Sequence, residues 1–179
     1  MNEKSKKSIY SLTLSAVFTG LATALSFIKV YNLPLGGSVT LFSMLPIVML
    51  SFMLGIKKGL AASFCYAVLQ LLFGITIDGL LGWGLTPSAL LGAIFLDYLL
   101  PFTVLGLASA FGKNSAFKIA LGTVFVMVLR FLCHLLSGAI IFDIWCDWEN
   151  VWFYSLCYNG SYMLPELITG QTWSVQTGA

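Results

Sequence analysis

Four ionisable side chains stand inside otherwise apolar stretches of this chain: Asp97, Arg130, His134 and Glu166. Gln70 and Asn159 add uncharged polarity in the same kind of surroundings. Charge buried in an apolar segment is costly, so each of these residues is a candidate for function. A carboxylate takes hydrogen bonds from amino or amidine-like donors and balances positive charge, while aromatic faces attract cations. Arg130 and His134 are four positions apart and share one helix face, as do Tyr154 and Tyr158. This inventory suits a small, flat, nitrogen-rich, cationic ligand. The sequence holds no Walker lysine motif and no HExxH, and no Gly-x-Ser-Gly nucleophile stands near a histidine. Ser137-Gly138, just after His134, is too slight a pattern for serine chemistry. Cys65, Cys133, Cys146 and Cys157 form no CxxC pair and no metal-ligand spacing. No catalytic residue, metal, cofactor or nucleic-acid partner is therefore expected.

The elements that must position these groups are membrane helices. Of 179 residues, 59% are hydrophobic and only 9% charged, against about 25% charged in a soluble domain. So short a chain cannot bury that much apolar surface in one soluble core, which leaves lipid as the solvent. A spanning helix needs about 20 mostly apolar residues. The sequence predicts six, over 8–30, 39–56, 59–76, 89–112, 118–142 and 152–169, in a single all-α membrane domain covering 1–179. The second and third are expected to form a tight hairpin around Lys57-Lys58-Gly59, and residues 32–38 carry turn chemistry. The last helix is expected to be short, with 170–179 a polar tail.

Orientation follows from the basic residues. Lys4, Lys6, Lys7, Lys57, Lys58, Lys113 and Lys118 all fall on one face of a six-helix chain, and short basic connections mark the cytoplasm. The N-terminus is therefore cytoplasmic, and Lys4, Lys6 and Lys7 precede a membrane helix rather than a cleaved leader. The outer face carries Asp78, Asp143, Asp147 and Glu149, with Lys29 as the exception, and Trp83, Trp145, Trp148 and Trp152. Interfacial anchoring is the ordinary role of such tryptophans.

At a rise of about 1.5 Å per residue, Asp97 and His134 each lie roughly 12 Å below the outer face and Asn159 about 10 Å. Arg130 and Glu166 lie deeper, at roughly 18 and 21 Å, where they could pair. Three helices thus bring polar groups to one level, which predicts a pocket opening outward. Each residue also has a plainer role available: Asp97 as an ion-pair partner for Arg130, His134 as a helix–helix hydrogen bonder, and Tyr154, Tyr158 and Tyr162 as packing.

These same stretches resemble the thiamin-specific substrate-binding (S) component of energy-coupling factor (ECF) transporters, the ThiT or YuaJ family. The likeness lies in Leu33-Pro34-Leu35-Gly36-Gly37-Ser38-Val39-Thr40, Leu45-Pro46-Ile47 and Gly55-Ile56-Lys57-Lys58-Gly59-Leu60. It continues in Leu96-Asp97-Tyr98, Arg130-Phe131-Leu132-Cys133-His134 and the run from Tyr154 to Tyr162. The resemblance implies an ECF S-component-like six-helix bundle with a high-affinity thiamin site near the outer face. It implies ligand contacts from Asp97, Tyr98, Arg130, His134, Tyr154 and Asn159, and from a tryptophan after the histidine helix, for which Trp145 is the candidate beside Phe142. Asp97 stands where the family often has the longer Glu, and Gly36-Gly37-Ser38 where some members carry a stacking tryptophan.

S components work with a membrane coupling (T) component and two ATPases. Ala16, Gly20 and Ala24, small residues at four-residue spacing on the first helix, allow close helix approach in lipid and are the candidate docking surface; internal packing is the alternative. The expected function is a high-affinity thiamin-binding subunit of an ATP-driven vitamin importer in the cell membrane. Competing readings are an S component for another heterocyclic vitamin, a membrane enzyme using Asp97 and His134 as an acid–base pair, and a self-sufficient secondary transporter.

Overall fold

The computed structural model describes residues 2–32, 38–40 and 42–176. Six helices make the bundle: α1 (Glu3–Ser26), α2 (Leu45–Leu54), α3 (Ile56–Thr76), α4 (Pro87–Phe111), α5 (Ala116–Ile140) and α6 (Val151–Gln176). Between α1 and α2, strands β1 (Lys29–Asn32) and β2 (Ser38–Thr40) pair antiparallel, Lys29 facing Thr40 and Asn32 facing Ser38. Helices α1, α3, α4 and α5 are each long and apolar enough to cross a membrane, while α2 has only ten residues.

The short α2 corrects the expected helix over 39–56 and makes room for the site. Pro46 lies in its first turn, where a proline's missing N–H costs nothing. Ahead of it Ser38–Thr40 is strand, not helix. Ten residues span about 15 Å, half of a bilayer core, so the outer half of this layer is hairpin and turn. Non-helical backbone at membrane depth is tolerated where it is buried in protein or lines a cavity. Here the Thr40 amide, freed from any helix, donates to Glu166 Oε1 of α6 at 3.0 Å, and the Thr40 hydroxyl donates to the same oxygen at 2.6 Å.

Other boundaries differ for local reasons. Helix α1 ends at Ser26, not 30, since Lys29–Asn32 pairs as β1. The α2–α3 break falls at Gly55, whose φ of 83° lies in the left-handed region open to glycine. Lys57 and Lys58 therefore sit in the first turn of α3 rather than in a loop. Helix α6 runs on to Gln176 through residues expected to be a polar tail. Leu33–Gly37, part of the first motif quoted above, and Leu41, within the expected second helix, lie outside the described residues.

Helix α4 is not uniform. It runs as α-helix over Pro87–Ala93, as π-helix over Ile94–Leu99 and as α-helix over Leu100–Thr103, and it closes as 3-10 helix over Val104–Phe111. Pro101 explains the wide turn. It has no N–H to give the carbonyl four residues back, which is that of Asp97, and its ring crowds that carbonyl. The helix widens instead, and the Leu100 N–H donates to Phe95, five residues back.

Toward the basic face the bundle is tied by small residues. Ser51 Oγ donates to the Gly106 carbonyl at 2.6 Å and accepts from the Ser109 N–H at 3.2 Å. A Cβ on Gly59 would stand 2.9 Å from the same Gly106 oxygen, so α3 and α4 touch backbone to backbone there. Phe52, Tyr66, Phe102, Leu105, Val126 and Met127 belong to the core beside this contact.

Candidate functional site

A cavity of about 150 Å³ occupies the outer half of the bundle, lined by α3, α4, α5, α6 and the ends of the β1–β2 hairpin. Six of the seven residues proposed as ligand contacts line it: Asp97, Tyr98, Arg130, His134, Tyr154 and Asn159. Trp145 does not. It stacks on Phe142, with centroids 5.6 Å apart at 28°, and Phe142 in turn meets Trp83 edge to face at 5.9 Å. Of these three rings, Phe142 and Trp83 lie on the lining. Trp83 is fixed by its indole N–H, which donates to the Asp78 carbonyl at 3.0 Å.

The polar centre joins three helices. Asp97 Oδ1 lies 3.1 Å from His134 Nδ1, and Asp97 Oδ2 accepts from Ser137 Oγ at 2.5 Å. The Asp97 carboxylate is thus held by α5 through His134 and Ser137, not through an ion pair with Arg130. In the neutral imidazole that donates Nδ1–H to Asp97, Nε2 is the acceptor, and Nε2 has no hydrogen-bond partner among the described residues. Asn159 Nδ2 donates to the His134 carbonyl at 3.2 Å and to the Ser155 carbonyl at 2.9 Å. Its Oδ1 accepts from the Tyr162 hydroxyl at 2.7 Å. Asn159 is therefore also a strut between α5 and α6.

Ser137 and Ser155 were missed in the sequence. Ser137 lies three positions after His134, on the same helix face, and that spacing was the available signal. Ser155 Oγ donates to the Leu135 carbonyl at 2.8 Å and sits against Gly138, where any Cβ would collide with it. Tyr98 is placed in the same way: its ring lies on Gly74 of α3 so closely that a Cβ there would overlap it.

Below this layer Arg130 projects its guanidinium over the Phe102 ring, 4.2 Å from the centroid. Its Nε and Nη1 are buried with no hydrogen-bond partner among the described residues. Two guanidinium nitrogens with idle N–H donors facing a cavity call for an acceptor-bearing ligand, since a buried unmade hydrogen bond is costly. Glu166, expected near Arg130, receives the two Thr40 hydrogen bonds described above. At the rim Lys29 Nζ lies 3.2 Å from Asp78 Oδ1, which accounts for the single lysine on the acidic face. Among the described residues no cluster of three or more His, Cys, Asp or Glu side chains could hold a metal ion.

Ala16, Gly20 and Ala24 are all exposed on α1, and a Cβ on Gly20 would meet nothing within 4 Å. They do not pack within the bundle.

Comparison with known proteins places the chain. The family model described as thiamine transporter protein (Thia_YuaJ) matches residues 12–174. The chain belongs to this thiamine transporter family. It is 30% identical over 177 residues to the thiamine transporter ThiT of Bacillus subtilis (strain 168), a match covering 90% of this chain and 86% of that protein. In fold it is similar to ThiT from Listeria monocytogenes, with a TM-score of 0.77 at 18% identity over 96% of this chain and 94% of that one. It is similar also to the S component of a bacterial ECF transporter, with a TM-score of 0.55 at 17% identity over 96% and 92%. Thiamine transporter family membership makes the chain a multi-pass protein of the cell membrane, and the structural likenesses give it the all-α S-component fold.

Proposed function

We propose that the outward cavity binds thiamin and that the chain is the thiamin-binding membrane subunit of an ATP-driven ECF-type importer, with no catalytic step of its own. The observation that carries this is the convergence of Asp97, His134 and Asn159 from three helices on one cavity walled by Tyr98, Tyr154 and Trp83. Thiamin joins an aminopyrimidine to a permanently cationic thiazolium. The amino group can donate to His134 Nε2, and a ring nitrogen can accept from the idle Arg130 donors. Aromatic faces at Trp83, Tyr98 and Tyr154 suit the thiazolium, at about 0.5–2 kcal/mol for a cation–π contact.

The chain carries no nucleotide-binding motif, so transport needs the coupling component and two ATPases. The exposed Ala16, Gly20 and Ala24 stripe is proposed as the docking surface for the coupling component. Membership of a transporter family speaks against an acid–base enzyme, so His134 Nε2, unpartnered among the described residues, is read as an acceptor for the ligand rather than as a general base.

The test is mass spectrometry of the small molecule that co-purifies in detergent, with an equilibrium thiamin titration of the emptied protein. Retention and saturable binding of thiamin are expected. Retention of a different heterocyclic vitamin, with no thiamin binding, would replace the ligand while keeping the S-component role.

A further inference from the structure

Trp148 stands at the top of a continuous column of rings. Its centroid is 5.6 Å from Tyr154, Tyr154 is 5.9 Å from Tyr158 in a stacked pair at 26°, and Tyr158 is 6.0 Å from Tyr162. Tyr162 meets the His134 imidazole at 6.2 Å. The three tyrosines line the cavity, whereas Trp148 is 48% exposed in the outer connection between α5 and α6. The four-residue spacing of Tyr154, Tyr158 and Tyr162 stacks them along one face of α6. Trp148 extends that stripe beyond the helix by its own ring contact. A tryptophan serving only as an interfacial anchor has no need of such a link. Trp152, 52% exposed and without a ring partner among the described residues, shows the ordinary case.

Charge points the same way. Trp148 is flanked in sequence by Asp147 and Glu149, both exposed, and Asp143 is exposed in the same connection. The one lysine of the outer face is tied to Asp78. A surface of one sign beside a cleft raises the local concentration of an oppositely charged solute and its association rate. Rings packed at centroid spacings of 5.6–6.0 Å, one pair stacked and two edge to face, form a continuous aromatic wall that would let a cation pass along it without regaining its full hydration shell.

We propose that the column Trp148–Tyr154–Tyr158–Tyr162 is the access path for the cationic ligand, and that Trp148, between Asp147 and Glu149, is a transient cation-binding station at its outer end. This rests on the thiamin reading and adds a site outside the cavity. A station on the path lowers the barrier in both directions, so it alters rates and leaves the equilibrium alone.

Stopped-flow quenching of the cavity tryptophan signal, with thiamin and with its neutral thiophene analogue as probes, tests this. Trp148→Leu is expected to slow thiamin association and dissociation by the same factor, about two- to fivefold, with Kd unchanged. Trp148→Phe restores most of the rate, and the neutral analogue is unaffected. The double variant Asp147→Asn/Glu149→Gln, altered only at exposed positions, is expected to flatten the fall of the association rate with ionic strength. Unaltered rates in both variants overturn the proposal. So does faster dissociation alone in Trp148→Leu, which would put Trp148 in the bound site, and so does equal slowing of both probes. An unmodified chain that binds no thiamin removes the ligand reading and this proposal together; normal affinity with unaltered rates removes this proposal only.

Discussion

Asp97 of α4 and His134 of α5, 37 positions apart in sequence, meet at 3.1 Å, and Ser137 closes the contact from one helix turn further on. The acidic side chain is thereby turned toward α5, and the imidazole presents its other nitrogen as an acceptor. Ligand recognition then runs through a carboxylate-set histidine as much as through the carboxylate itself.

Asp97→Asn keeps the size of the side chain but puts an N–H₂ where His134 or Ser137 donates. Thiamin affinity is expected to fall by roughly one to two powers of ten, at about 1.4 kcal/mol per tenfold. Ser137→Ala leaves one carboxylate oxygen short of a donor, and a loss of up to about tenfold is expected. Ser109→Ala serves as the control, since its hydroxyl meets Ser51 toward the basic face, at 3.1 Å. Calorimetric titration of the three variants decides it. Wild-type affinity in a folded Asp97→Asn protein would return Asp97 to a purely structural place.

Gly74 and Gly20 are both helical glycines with opposite surroundings. A methyl at Gly74 displaces the Tyr98 ring from the cavity wall, whereas one at Gly20 meets nothing within 4 Å. Gly74→Ala is expected to weaken thiamin binding by about tenfold or more, on the scale of about 1–3 kcal/mol for overpacking. Gly20→Ala is expected to bind normally and to melt slightly higher, through the gain of up to about 1 kcal/mol in helix propensity. Equal affinity in the two variants would show that Tyr98 does not shape the site.

The lining assigns the fluorescence response to Trp83. Thiamin should quench the intrinsic emission of the purified chain. Trp83→Phe should lose most of the quenching amplitude, and Trp145→Phe, one ring further back, should keep it. The opposite ranking would reinstate Trp145 as the stacking partner.

Docking through α1 predicts a separation of binding from transport. Gly20→Leu fills the exposed gap between Ala16 and Ala24 without touching the cavity. Vesicles containing the coupling component and the ATPases should lose thiamin uptake while the purified variant keeps its affinity. A parallel fall in affinity would make the stripe a part of the bundle's own integrity.

The orientation is open to labelling. In a background lacking the four native cysteines, single cysteines at Lys57 or Lys113 should resist an impermeant thiol reagent in intact cells. Cysteines at Asp143 or Asp147 should react. The reverse pattern would turn the cavity toward the cytoplasm.

Much of this was legible because lipid simplifies the code. Apolar run length pointed to a bundle of six helices, and rise per residue brought Asp97, His134 and Asn159 to one depth. Less legible was whatever depended on tertiary contact. The apolar run over 39–56 reads as one helix because strand and helix are both hydrophobic at this depth. The pairing of Ser38–Thr40 with β1 and the reach of Glu166 to the Thr40 amide show that its first residues are not helical. Trp145 and Trp83 look alike in sequence, and the choice between them lies in how Phe142 stacks, a side-chain event with no sequence period. Ser137 is chemically ordinary until a carboxylate from another helix arrives. Glu166 drew notice as a charge that could pair with Arg130, and nothing in the sequence showed that it also takes the amide and the hydroxyl of Thr40.

The wide turn before Pro101 carries an angular consequence. A π-turn lodges one additional residue, and one residue is about 100° of rotation about a helix axis. The part of α4 before the turn and the part after it are therefore out of phase, and no single stripe drawn along positions 87–111 describes the face this helix shows its neighbours. Asp97 and Tyr98 sit at the switch between the two phases. Which way they face is set by an N–H that residue 101 does not have, so exchanging that proline would act on the site as a twist, at a residue that carries none of the site's polar groups.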